Sequence, residues 1–192
     1  MKIINATIFT NEKTKAVNYT GLVEIPGATV TEVAVIKDAE GTVFGIYPQN
    51  QYFVPVVENG EKKLDADGKP VMQKKYNVAI TGNREELNAK VAELYEAGKV
   101  KLFDKPIETS IGTKLGTVTV EGIDVKVSVR VELTKEGTPY MIPPRAARPA
   151  KEGDDASKPR WWYYVNISQE DRDRLAAEIV ANAKEPAPKT EG

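Results

Sequence analysis

"GATVTEVAVIKDAEGTVFGIYP", Gly27 to Pro48, alternates β-branched and polar residues, breaks at Asp38–Gly41, and resumes as a short apolar run ending in proline. A period of two marks a half-buried strand, and a Gly-containing break between two such runs marks a tight turn. The stretch therefore reads as two antiparallel strands joined by a hairpin. "GIDVKVSVRVELTKEGTPYMIPPR", 122–145, follows the same plan. "EGTVFGIYPQ" (40–49) lies over "EGTPYMIPPR" (136–145) with Glu, Gly, Thr, Ile and Pro identical.

The match extends outward from this hairpin. "YNVAITGNREELNAKVAEL" (76–94) corresponds to "YYVNISQEDRDRLAAEIVA" (163–181) with one extra residue, setting Val78 with Val165, Ile80 with Ile167, Leu87 with Leu175 and Val91 with Ile179. Strands, Gly turn, strand ending in Pro, variable loop, strand and helix occur twice in the same order, which points to duplication. "KIINATIFT" and "AVNYTGLVEI" read as two further strands near the start. Asn83 with Glu86 reads as an N-cap and its reciprocal partner, Gly98 as the stop of a helix over 83–97, and Ser168 with Asp171 as the start of a second over 169–183. "ENGEKKLDADGKP" is a polar hairpin loop. Its Asp65–Gly68 has the composition of a calcium loop without the ligand spacing or the closing Glu, so it reads as a turn. The expected fold class is α+β: two tandem units of antiparallel sheet and C-terminal helix, 1–98 and 99–184, related by a pseudo-two-fold, with a frayed tail at 185–192.

Composition bounds the chemistry. The 192 residues are 41% hydrophobic and 29% charged with net charge −1, so no global positive field advertises nucleic acid. There is neither cysteine nor histidine, which removes disulfides, thiolate chemistry, the usual general base and the commonest metal ligand. No Gly-rich phosphate loop or carboxylate cluster at metal spacing stands out, so a non-enzyme without cofactor or metal is expected. The first residues do not read as a signal peptide and no run approaches the ~20 apolar residues of a spanning helix, so a cytoplasmic protein without membrane contact is expected.

The repeated unit resembles the SpoVG (stage V sporulation protein G) family, on "VAVIKDAEGTVFGIYP", Asp67-Gly68 and "NVAITGNREELNAKVAELY" in the first copy, and on "VSVRVELTKEGTPYMIPPR" and the helix in the second. The resemblance implies a small antiparallel sheet with a C-terminal helix, homodimerisation, and DNA or RNA binding in the bacterial cytoplasm. Two copies in one chain would then form a built-in dimer. The family's basic stretch after the proline is replaced by "QNQYFVPVV" in the first copy, while the second keeps Arg145 and Arg148 there.

Six of the seven arginines lie in the second half, and arginine suits phosphate forks and base stacking better than lysine. Arg145, Arg148, Lys151, Lys158 and Arg160 surround Trp161, Trp162, Tyr163 and Tyr164, forming the candidate contact region. In a strand these four rings point alternately to two faces, so one face is expected buried and the other in contact with a partner. Lys126 and Arg130, set between Val125, Val127, Val129 and Val131, add a basic sheet face. DNA or RNA is one partner class expected here. A protein target, as for a phage-encoded inhibitor or regulator, is the other, because Trp, Tyr and Arg also dominate protein interfaces. The blander alternative packs the rings between sheet and helix.

Overall fold

The computed structural model describes residues 1–10, 16–58, 60–147 and 160–185. The chain opens with β1 (Lys2–Thr10), β2 (Val17–Lys37), β3 (Val43–Ile46), β4 (Asn50–Pro55), β5 (Val57–Glu58), β6 (Glu61–Lys62), β7 (Met72–Asn77), β8 (Ile80–Gly82) and α1 (Arg84–Glu96). It continues with β9 (Lys101–Thr109), β10 (Gly112–Leu133), β11 (Pro139–Ile142), β12 (Arg145–Ala147), β13 (Trp161–Tyr163) and α2 (Gln169–Asn182). The architecture is α+β, mainly antiparallel sheet with two helices, in agreement with the expected class.

Two long strands form the spine. β2 and β10 pair antiparallel from Lys37↔Thr113 to Tyr19↔Val131, at the centre of a seven-stranded sheet. Val, Ile and Thr dominate both, and such side chains suit a pleated, half-buried surface. The sequence reading broke β2 at Pro26-Gly27, and the structure corrects it: the strand runs through. Pro26 has no N–H to give a ladder, so the register shifts between Ile25↔Val125 and Ala28↔Ile123 and leaves it in a bulge. Gly27 takes φ +59° there, and its N–H donates to Asp124 Oδ1 at 2.8 Å.

The edges of the spine are built twice in the same way. β1 pairs with the first part of β2, and β3 with its last four residues, Ala34↔Ile46 to Lys37↔Val43. β9 pairs with the first part of β10, and β11 with its last four, Arg130↔Ile142 to Leu133↔Pro139. The two hairpin turns share their bonding. Asp38 N–H donates to Thr42 O (3.0 Å) and Gly41 N–H to Asp38 O (3.2 Å); Thr134 N–H donates to Thr138 O (2.9 Å) and Gly137 N–H to Thr134 O (3.0 Å). Gly41 and Gly137 sit at φ +88° and +83°, where a side chain is strained.

Between the hairpins the halves interleave. β8, from the first half, pairs with β10. Val165, from the second half, bridges Val30 in β2, with Thr31 N–H donating to Tyr164 O at 2.8 Å. Both helices begin where expected, each on its N-cap side chain. Asn83 Oδ1 accepts from the N–H groups of Glu85 and Glu86, and Ser168 Oγ accepts from Asp171 N–H while donating to Asp171 Oδ2. α1 packs Leu87 and Val91 on β3, where Gly45 leaves room, and α2 packs Ile179 on Gly21 of β2. Leu87, Val91, Leu175 and Ile179 are buried with Val23, Val33, Val125, Val127 and Val129 in one core. Each such side chain contributes ~1.5–3 kcal/mol by leaving water.

Candidate functional site

Two ribbons rise from the sheet, one per half. β4 and β7 pair from Asn50↔Asn77 to Pro55↔Met72, extended by β5 and β6 and closed by a turn at Asp65–Gly68. Asp65 Oδ1 accepts from Asp67 and Lys69 N–H, so "DADG" is a turn, as its spacing suggested. The second ribbon pairs β12 with β13 through Arg145↔Tyr163, Ala146↔Trp162 and Ala147↔Trp161. Arg148, Lys151 and Lys158 lie outside the described residues.

Antiparallel pairing puts Arg145, Trp161 and Tyr163 on one face of the second ribbon and Trp162 on the other. Arg145 stands diagonally from Trp161, within reach of a long side chain, and its guanidinium carbon lies 3.8 Å from the ring centroid. Tyr163 carries a second cation from α2: the Arg172 guanidinium lies 4.6 Å from its ring, steadied by Nε donating to Ile167 O at 2.9 Å. Such pairs contribute ~0.5–1 kcal/mol when exposed. Arg172 was not among the expected contact residues. The one signal for it was a cation in the acidic first turn of a helix, where the dipole does not favour one.

Burial along "RWWYY" does not alternate cleanly. Arg160 is exposed, Trp161 and Tyr163 are half-buried, Trp162 is 38% exposed, and Tyr164 is 9% exposed. Tyr164 follows the short strand and turns into the core, where burial first and the Glu32 charge second raise its phenol pKa. Within the strand the two faces differ, with Trp161 and Tyr163 half-buried and Trp162 exposed, and Tyr164 beyond it leaves that alternation for the core. The reason is local: regular pairing ends at Tyr163, before Tyr164 crosses over β2.

The recess between the two ribbons is a cleft of about 800 Å³. Ser128, Arg130 and Thr20 form its floor; Gln49, Asn77 and Ala79 line the side toward the first ribbon; and Pro143, Pro144, Arg145 and Trp161 line the side toward the second. Among the described residues no carboxylate lines it. Arg130 Nε pairs with Glu132 Oε1 at 2.9 Å, and Glu132 also accepts from the Tyr140 hydroxyl. Of the expected residues the structure gathers Arg130, Arg145, Trp161 and Tyr164 at this cleft. Lys126 is exposed on β10 but stands away from it, opposite Glu24 and Thr81 in the sheet register.

The cleft offers a cation held over an indole, a second cation on the floor that is paired with Glu132, and neutral donors and acceptors from Thr20, Gln49, Asn77 and Ser128. Such a set receives an anion beside a planar polar group. A second recess of about 500 Å³, against α1, mixes Lys90, Lys99 and Lys101 with Glu32, Glu93 and Glu121 and so lacks a net sign. Among the described residues, no group of three or more acidic, His or Cys side chains is placed to hold a metal ion, and no helix is long and apolar enough to cross a membrane. No protein family, curated protein or solved structure matches this chain.

Proposed function

We propose that this chain is a non-catalytic, nucleic-acid-binding regulatory protein of bacterial or phage origin, cytoplasmic, and built from two SpoVG-like repeats. The repeats, 1–98 and 99–184, stand about an approximate two-fold through the middle of the β2–β10 pair. The equal registers of the two terminal hairpins and their matching turns support that symmetry. The reciprocal exchange of β8 and Val165 supports a dimer folded into one chain.

The observation that carries the function is the inter-ribbon cleft: two arginines and a tryptophan under one of them, with no carboxylate among the described lining residues, in a protein of net charge −1. Concentrating cations at one recess supplies the phosphate attraction that global composition lacks. Anisotropy titration of labelled single-stranded and duplex oligonucleotides at two salt concentrations tests the reading. Binding is expected to weaken with salt. Replacing Arg145 and Arg148 with Ala is expected to weaken it alike for all sequences and to flatten its salt dependence.

A protein target is the second reading, favoured by one observation. The strand β9, whose outer edge pairs with no other strand among the described residues, and the turn after it expose Leu102, Ile107 and Ile111, and such an apolar edge suits a partner strand. Under that reading no oligonucleotide binds at either salt concentration. Leu102→Asp with Ile107→Asp then removes the complex with the target while the fold stays intact.

A further inference from the structure

We propose that the inter-ribbon cleft takes an unpaired strand of nucleic acid in preference to a duplex, with a base stacked on the Arg145–Trp161 plate. The inference rests on the nucleic-acid reading above and adds the form of the ligand. The first argument is shape. Proteins that read a duplex push a helix or ribbon into its ~12 Å major groove. Here the cations and the ring line a recess, so the ligand must insert its own groups. At about 800 Å³ the recess falls in the ~300–1,000 Å³ range of sites that enclose small planar ligands. A base in a duplex has both faces covered by its neighbours, whereas an unpaired strand can splay one out.

The second argument is chemistry. The Arg145 guanidinium lies over the Trp161 ring, its central carbon 3.8 Å from the centroid, forming a cationic plate on which a base extends the stack. Arg130 lines the floor of the same recess and, although paired through Nε with Glu132 Oε1, keeps further guanidinium N–H donors for a backbone phosphate. Gln49, Asn77 and Ser128 supply neutral hydrogen-bonding groups that match the exposed edges of an unpaired base. The third argument concerns the helices, the elements that most often enter a duplex groove. α1 begins with Glu85 and Glu86, α2 with Glu170 and Asp171, and neither has a basic residue in its last turn. Neither end of either helix suits a phosphate backbone.

The chain has two tryptophans, so Trp162→Phe leaves Trp161 as its sole reporter. This variant is titrated with oligo-deoxythymidylate and with a duplex of equal length, at low and high salt. Oligo-deoxythymidylate is expected to quench Trp161 and to bind at least about tenfold more tightly than the duplex, the scale of one stacked base. Arg145→Lys, which keeps the charge but cannot stack as a plane, is expected to lose about tenfold in affinity with the salt slope unchanged. Equal affinity for the two probes, or single-strand binding that leaves Trp161 emission unchanged, overturns the inference and leaves the nucleic-acid reading standing. Failure of both probes to bind removes both. Should Arg145→Lys not fold, quenching in Trp162→Phe still decides.

Discussion

Tyr47 closes the β3 run with its hydroxyl buried and without a hydrogen-bond partner among the described residues. It lies against Gly82, where an added Cβ would also come within 2.7 Å of the Asp124 carbonyl oxygen. Burial, and then the Glu86 charge, push its pKa up to about 12. The folded state thus favours the neutral phenol, while the unfolded chain ionises near its ordinary value of ~10. Stability is expected to hold below about pH 10 and to fall between about pH 10 and 12, as the unfolded state alone gives up the proton. Tyr47→Phe is expected to reduce that alkaline loss. It should also raise stability at pH 7 by ~1 kcal/mol, because the orphaned hydroxyl is removed with little change of shape. Urea unfolding at pH 7 and pH 11 measures both, and a destabilised Tyr47→Phe protein would contradict the assignment.

At the scale of elements, each helix depends on how closely its sheet lets it approach. A Cβ on Gly45 would stand 2.8 Å from Val91 Cγ2 and 3.0 Å from Leu87 Cγ, both in the core and with little room to yield. Gly45→Ala is therefore expected to cost ~1–3 kcal/mol, and chemical denaturation would show it as a lower midpoint with unchanged slope. α2, which packs Ile179 on Gly21, depends also on its start. Ser168→Ala removes the acceptor for Asp171 N–H and is expected to cost ~1 kcal/mol. The Ser168 hydroxyl, and then Arg174, hold the Asp171 carboxyl below its usual range, so this cap weakens as acid protonates it. Caps and alternation act within a few residues, which is why β1, both helices and the hairpin turns were legible in advance. The run of β2 through Pro26 was not, because its bulge is completed by Asp124, 97 residues away.

At the scale of the molecule, one sheet holds both halves. The segment before each helix lies on the long strand of the other half, so neither half can complete its own surface. Fragments 1–98 and 99–192 are expected to show no cooperative unfolding alone and to regain it on mixing. Cooperative unfolding of either fragment by itself would contradict this. The intact chain already contains both partners of the exchange and is expected to scatter light as a monomer at low micromolar concentration. A stable dimer would instead point to pairing through an exposed edge such as β9.

The amino-acid order by itself determined the antiparallel α+β class, the hairpin turns at Asp38–Thr42 and Thr134–Thr138, the starts of both helices and the stop of the first, and the clustering of Arg145 with the aromatic run. All of these rest on short-range patterning: period two, period 3.6, and capping chemistry within one turn. Only the tertiary structure decided that Tyr164 is core while Trp162 is surface, that Arg172 covers Tyr163, that Lys126 stands apart from the cleft, and that Arg130 shares it with Arg145. Each of these depends on where a distant segment crosses. Thr31 Oγ1 donates to Tyr163 O across 132 residues of chain, and that crossing places the second ribbon beside the sheet. Local periodicity marks which face of an element is apolar, but which distant segment covers it comes only from such long-range contacts.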